Sequence, residues 1–397
     1  MFTRNFLAVA GINLFIMMPY YMLFVISTPY AVERFKATPG VAGLVAGTMI
    51  LGGMTGRFAS GRFIGIFGSR AVLLFGIAEF ILTMSLYLAA NSLPLLIAVR
   101  FLSGIGVGCV GAVTGTMIAH IVPVEQHGAG ISYFSLSTIL AMALGPLLGI
   151  LLLQHVSFSF MFLLCCAFAL VSLVFALLLT AAIQAAGWTR GNPAPFRLSD
   201  YLEYRALPIS FVMLLVAQGY GCVQAFMAPY AEKLGLEGTA SIFFLVYGAV
   251  VLVSRPMTGK VMDTRGENII IYPSLLILLC GLLLMAYAQS AWTFLLSAAL
   301  IGGGFGNFQS TTQIISVKVV PRARFAQATA SFFILLDLGI GFGPYIFGNV
   351  IPLAGYSGLF LSLSAATLAA IPLYHVLHGR KAGPRVVEEC AGEGSPL

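Results

Sequence analysis

Three ionisable side chains stand inside long apolar runs: Arg100, Asp337 and Glu79. A charge at the centre of a membrane-spanning helix costs ~2.5–3.5 kcal/mol on insertion scales, so such residues are seldom idle. Asp337 lies in Phe332-Phe-Ile-Leu-Leu-Asp337-Leu-Gly339-Ile-Gly341-Phe-Gly343-Pro344, close to the middle of its run. A lone carboxyl there can hold a proton while enclosed and release it when its surroundings become wet, which is the chemistry of proton coupling. The other reading is a protonated carboxyl that only hydrogen-bonds a neighbouring helix. Glu79 is also near mid-run, in Gly76-Ile-Ala-Glu79-Phe, and a coupling role and a structural one are equally open. Arg100 opens Arg100-Phe-Leu-Ser103-Gly104-Ile-Gly106-Val-Gly108, well inside its run, and is read as functional. Its alternative is a side chain that snorkels to the nearer interface.

Composition says what must position these groups. Of 397 residues, 59% are hydrophobic and 8% charged, against ~25% charged in a soluble domain. The chain is therefore expected to be a polytopic membrane protein, and its 44 glycines suit helices that pack through small residues. A formal charge of +7 could suggest nucleic acid, but the basic residues fall in short segments between apolar runs, which removes that reading. The cysteines lack metal-ligand spacing, so neither a metal nor a disulfide framework is expected. Gly106-Val-Gly108-Cys-Val-Gly111 formally matches a dinucleotide fingerprint, yet no strand precedes it inside an apolar run, and no cofactor is expected. The chain has no Walker A sequence, no His-Glu-x-x-His and no nucleophile elbow, so it is not read as an enzyme.

Apolar runs of membrane-spanning length fall near 6–31, 40–66, 70–91, 93–121, 128–154 and 158–184, then near 206–231, 238–262, 268–288, 291–319, 324–350 and 356–378. The fold class read from them is an all-α membrane protein with twelve transmembrane helices. The first run has no cleavage site behind it and is expected to remain as a helix. With both termini inside, 16 Lys/Arg lie in inner segments and 3 in outer loops, which predicts a cytoplasmic N- and C-terminus. A Pro- and Gly-containing polar stretch at 187–205 divides a first six-helix bundle (1–186) from a second (206–379), and 380–397 forms a polar tail.

The halves repeat one another. Arg57/Arg255, Gly61/Gly259, Gly68/Gly266, Gly104/Gly302, Gly106/Gly304, Gly108/Gly306, Pro123/Pro321, Gly145/Gly343 and Pro146/Pro344 share a single offset, 198. Glycine matches arise readily in such a chain; an arginine pair and two proline pairs in the same register do not. Two copies of a six-span unit are expected, related by pseudo-symmetry.

Arg100-x-x-Ser103-Gly104 resembles the fourth-helix signature of the major facilitator superfamily, and Gly145-Pro146-x-x-Gly149 its fifth-helix antiporter signature. Gly61-Arg62-Phe-Ile-Gly65-Ile-Phe-Gly68-Ser-Arg70 and Gly259-Lys260-Val-Met-Asp263-Thr-Arg265-Gly266 resemble the superfamily's cytoplasmic loop signature, with Gly65 where an aspartate is usual. Asp337-x-Gly339 before Gly343-Pro344 resembles a pattern in drug and metabolite efflux members. The resemblance implies a secondary active transporter that binds a small-molecule substrate between its halves. It further implies hinges at Gly145, Pro146, Gly149, Gly343 and Pro344, and a cytoplasmic gate at Gly61, Arg62, Gly68, Arg70, Gly259, Asp263 and Arg265.

In that fold the first, fourth, seventh and tenth helices line the cavity and the third is peripheral. Helical spacing puts Asn13, Met17, Tyr20 and Phe24 on one face of the first span, and Arg100 with Ser103 on the fourth. Tyr220 and Gln224 align on the seventh, and Gln309 and Gln313 on the tenth with Asn307 beside them. Aromatic, amide and thioether groups together suit small amphipathic molecules such as drugs, or a secreted metabolite or metallophore. Proton-driven export is the leading expectation, with coupling on Asp337, Arg100 or Glu79, the bilayer and protons as partners, a monomer as the unit, and a bacterial plasma membrane as the place. Uptake by symport or uniport is a second reading. A receptor or scaffold that binds without turnover is a third.

Overall fold

The computed structural model describes residues 3–122, 127–179, 202–321 and 324–380. The stretch 187–201 of the expected linker and all of the tail after 380 lie outside them. Twelve helices among the described residues are long and apolar enough to cross a membrane, and those residues contain no strand. The first six are α1 (Arg4–Phe35), α2 (Pro39–Phe67), α3 (Ser69–Ala89), α4 (Leu93–Ile121), α5 (His127–Leu153) and α6 (Phe158–Leu177). The second six are α7 (Leu207–Leu234), α8 (Glu237–Arg265), α9 (Asn268–Ala286), α10 (Ala291–Lys318), α11 (Phe325–Gly348) and α12 (Ile351–Tyr374), which runs into a π-turn at His375–Gly379. Since the spans alternate, the start of α1 and the end of α12 lie on one side, called here the terminal face.

Local chemistry sets the helix ends. Thr3 Oγ1 accepts from the Phe6 amide at 3.2 Å at the start of α1, and Ser290 with Thr293 forms a capping box at the start of α10. Gly68 and Gly266, equivalent by the 198-residue offset, turn the chain out of α2 and α8 with φ of 83° and 84°. Backbone in that region disfavours any residue with a Cβ, which explains why the repeat keeps glycine at both places. The helices themselves continue through Gly61 and Gly259, so the turn sequence expected at 61–70 and 259–266 is mostly helix. The twelfth span starts earlier than its apolar run suggests, at Ile351, with a break at Gly355 (φ 68°, ψ −172°).

Inside the first half, Gly52 and Gly56 of α2 face Gly104 and Gly108 of α4, and a Cβ on any of the four would overlap a backbone oxygen of the opposing helix. Such small-residue seams let helix backbones meet where lipid offers no hydrophobic drive for association. In the second half Gly302 and Gly306 of α10 face Tyr247 and Val251 of α8 in the equivalent places. A buried core fills the first half. The core of the second half also takes in Phe24, Val25, Ala46, Ile50 and Ile150, from the parts of α1, α2 and α5 remote from the terminal face. There the halves form one packed body. Gly43 and Gly47 of α2 press on Pro344 and Gly341 of α11, and a Cβ on Gly248 of α8 would come within a tight 3.2 Å of the Ala143 Cβ of α5.

Candidate transport site between the halves

Nearer the terminal face than this seam, the two halves present charge to one another. Arg57 sits ten residues before the end of α2, and its guanidinium is ion-paired with the Asp337 carboxylate of α11. The Asp337 side chain is 9% exposed and that of Arg57 39%. The far side of the interface is closed by the Gly47–Gly341 contact. Tyr20 and Tyr21 of α1 lie within electrostatic range of both groups. Tyr20 also packs against the cores of both halves, so it bridges them at this depth.

In the second half three aromatic rings stack within the buried core. Tyr220 of α7 stacks on Phe305 of α10 at 4.4 Å between centroids and on Tyr247 of α8 at 5.5 Å. The Gln224 amide donates to the Tyr220 hydroxyl at 2.8 Å. Asn307 donates to the Gly303 carbonyl at 2.7 Å and accepts from Ser254 and Thr258 of α8, both at 3.2 Å, so its polar atoms are engaged. Gln309 and Gln313 are half-buried and make no side-chain hydrogen bond among the described residues.

Other expected site residues lie elsewhere. Arg100 is fully buried among α1, α2 and α4, and donates to the carbonyls of Val45 (2.9 Å), Leu23 (3.2 Å) and Ala46 (2.8 Å). It touches neither Asp337 nor the space between the halves; the close approach allowed by Gly104 draws its guanidinium onto backbone oxygens instead. Ser103 donates to the Arg100 carbonyl at 2.9 Å and is enclosed with it. Asn13 donates to Ser137 and Thr138 of α5, each at 2.8 Å, which binds it into the first half. Met17 rests against Gly111 of α4, and Phe24 is buried in the far-side seam. Glu79 of α3 lies against Gly106 of α4, in a helix packed on α2, α4 and α6, and is not brought to Asp337.

The two glycine–proline pairs occupy helix–helix contacts. Gly145 meets Met18 and Gly149 meets Met22 and Ile26, joining α5 to α1, with Pro146 inside the helix. Gly343 meets Gln218, joining α11 to α7, while Pro344 meets α2. Arg62, Arg70 and Arg265 are exposed at the terminal face, whereas the side chains of Lys260 and Asp263 lie outside the described ones.

Arg57 and Arg255 escape a reading by motif. Both fall inside apolar runs and share the repeat offset, which was the signal available; counted as loop charges, they pass for topology determinants.

Where the described chain enters the second half, Arg324 Nε donates to Glu203 Oε2 at 2.6 Å, and the Glu203 amide donates to Ser331 at 2.7 Å. The Arg324 hydrogen bond holds the Glu203 carboxyl below the usual carboxylate range. Because the folded value lies under the unfolded one, of about 4.3, this pair stabilises above that pH and its contribution is lost as pH falls through the folded value. Glu203→Gln is expected to lower stability near pH 7 by less than about 1 kcal/mol, since Arg324 is partly solvated. The difference should close as wild type and variant are acidified toward pH 3. Thermal unfolding in detergent across that range checks both parts.

Twelve apolar helices with an ion pair joining α2 to α11 make a polytopic body with a charged contact inside it. The chain belongs to the Major Facilitator Superfamily, whose family model matches residues 9–344. It is similar to the MFS-type transporter YhhS of Escherichia coli (strain K12), 26% identical over 358 residues, covering 88% of this chain and 86% of that protein. An MFS-type transporter of Burkholderia pseudomallei (strain 668) is 26% identical over 357 residues, covering 86% and 84%. Among solved structures, a POT family transporter in complex with 5-aminolevulinic acid aligns at TM-score 0.79 with 14% identity, covering 95% of this chain and 96% of that one. The nucleoside transporter NupG aligns at TM-score 0.73 with 13% identity, covering 94% and 99%. These likenesses establish the fold. The protein is a multi-pass integral membrane transporter and not an enzyme.

Proposed function

We propose that this transporter is a proton-coupled exporter, an antiporter that exchanges protons for small amphipathic molecules such as drugs, or a secreted metabolite or metallophore. The observation that carries this reading is the Arg57–Asp337 ion pair between α2 and α11. A carboxylate that bonds across the moving interface links protonation to conformation: ionised, it holds α2 to α11; protonated, it lets them part. Arg57 takes the partner's role first expected of Arg100 or Glu79. Gly145-Pro146 and Gly343-Pro344 support export, and the Lys/Arg distribution supports a cytoplasmic terminal face. A single chain supplies both halves, and a monomer in a bacterial plasma membrane suffices.

Everted vesicles that hold an acid-inside pH gradient test the coupling and its direction together. Addition of a transported compound from a panel of amphipathic acids, bases and neutral molecules should dissipate the gradient as the compound accumulates inside. Accumulation that needs the opposite gradient would make the protein a symporter. Accumulation indifferent to pH would remove protons from the mechanism.

A further inference from the structure

The internal repeat gives this protein two arginines in equivalent positions, and only one of them is neutralised. Arg57 has Asp337. Subtracting the repeat offset from Asp337 leads to residue 139 of α5, an isoleucine, so the partner position for Arg255 carries no acid. Among the described residues Arg255 forms no ion pair and no side-chain hydrogen bond, and its Nε is enclosed without an acceptor. It lies seven residues after Gly248, so on nearly the same face of α8 that packs on Ala143 of α5, about two turns nearer the terminal face. Its charge reaches Tyr21 of α1 in the other half and Tyr247 on its own helix. Arg255 therefore carries its unmatched charge on the side of α8 that is turned toward the first half.

A cation at this depth without a counter-ion is a standing cost, since buried charges are normally paired. The polar groups beside it do not settle the account: Ser254 and Thr258 already donate to Asn307, whose Oδ1 is shared between them. An apolar residue in place of Arg255 would be less costly for the fold. The missing negative charge is one that arrives and leaves.

We propose that the carried molecule is an organic anion and that Arg255 holds its acidic group. A guanidinium is suited to this because its planar fork takes both oxygens of a carboxylate at once. The inference rests on the transporter reading and narrows its substrate class; it does not depend on protons or on direction. An anionic lipid headgroup presents the same chemistry, so the test separates the two sources.

The probes are benzoate and its neutral counterpart benzamide, with phenylphosphonate as a second acid, added at pH 7 to the full-length protein purified in detergent. Wild type should bind the acids at least about tenfold more tightly than the amide, read as thermal stabilisation. Arg255→Gln should lose that preference, and Arg255→Lys should keep part of it. Wild-type protein gives an independent readout that needs no variant to fold. Phenylglyoxal should modify Arg255 faster than Arg57 or Arg100, with benzoate but not benzamide protecting it. Equal binding of acid and amide, or an acid preference that survives in Arg255→Gln, would overturn the proposal. Protection in phosphatidylglycerol nanodiscs but not phosphatidylcholine ones, with no effect of benzoate, would assign the charge to lipid and overturn it as well. These measurements use no gradient, so their failure leaves the proton reading intact, and failure of the vesicle experiment leaves them intact in turn.

Discussion

Asp337→Asn is expected to reduce pH-driven transport by about 100-fold or more, a loss of some 2.7 kcal/mol in the coupled step. Asparagine is nearly isosteric and can still accept a hydrogen bond from Arg57, so the protein should still fold. What it lacks is a site that gains and loses a proton as the halves move. Binding of a transported molecule should change little, because Asp337 is already occupied by Arg57 in the conformation described. Arg57→Gln provides the contrast: it keeps the carboxyl but frees it from its partner, so coupling should weaken rather than vanish. A second readout is structural. Spin labels at Thr38 and Asn349, exposed residues that cap α2 and α11 at the side away from the termini, should report a longer, broader distance in Asp337→Asn, because an uncharged residue 337 no longer holds the far side shut. Full gradient-driven flux in the variant, or an unchanged distance, would remove Asp337 from the mechanism.

The scaffold was largely legible in the residues; the pairing of its charges was not. Twelve apolar runs read straight through to twelve helices, and the repeated glycines Gly68 and Gly266 to the turns that end α2 and α8, because each depends on local composition and spacing. The site depends on which way a side chain faces within a helix that is apolar or small on every side. α4 shows the difficulty: its glycines permit close approach on more than one face, and no polar stripe tells whether Arg100 turns toward the other half or toward α2. Nor does any local signal join Arg57 to Asp337, 280 residues apart. The repeat did hold a usable hint. Arg57 and Arg255 are matched, Asp337 and Ile139 are not, and a broken symmetry between charged positions marks a place where the halves have been given different work.

Arg100 offers the sharpest separation between an architectural charge and a functional one, through a comparison in which the conservative change does the greater harm. Its guanidinium spends Nε, Nη1 and Nη2 on three carbonyls in two helices. Charge-assisted bonds of this kind contribute about 1.5–3 kcal/mol each, and removal of the charge recovers about 2.5–3.5 kcal/mol of desolvation. The three carbonyls are helical and keep their backbone partners, so Arg100→Met should destabilise by a net ~2–5 kcal/mol rather than collapse the fold. Lysine retains the cost of a buried cation but directs its donors from one nitrogen, which cannot serve α1 and α2 together. Arg100→Lys should therefore melt at or below the temperature of Arg100→Met, and neither should alter the preference for acid over amide in the molecules that remain folded. A charge that acted on substrate or proton would behave the other way, with lysine restoring what methionine abolished. Melting temperatures and probe binding for the two variants, measured side by side, decide which kind of arginine this is.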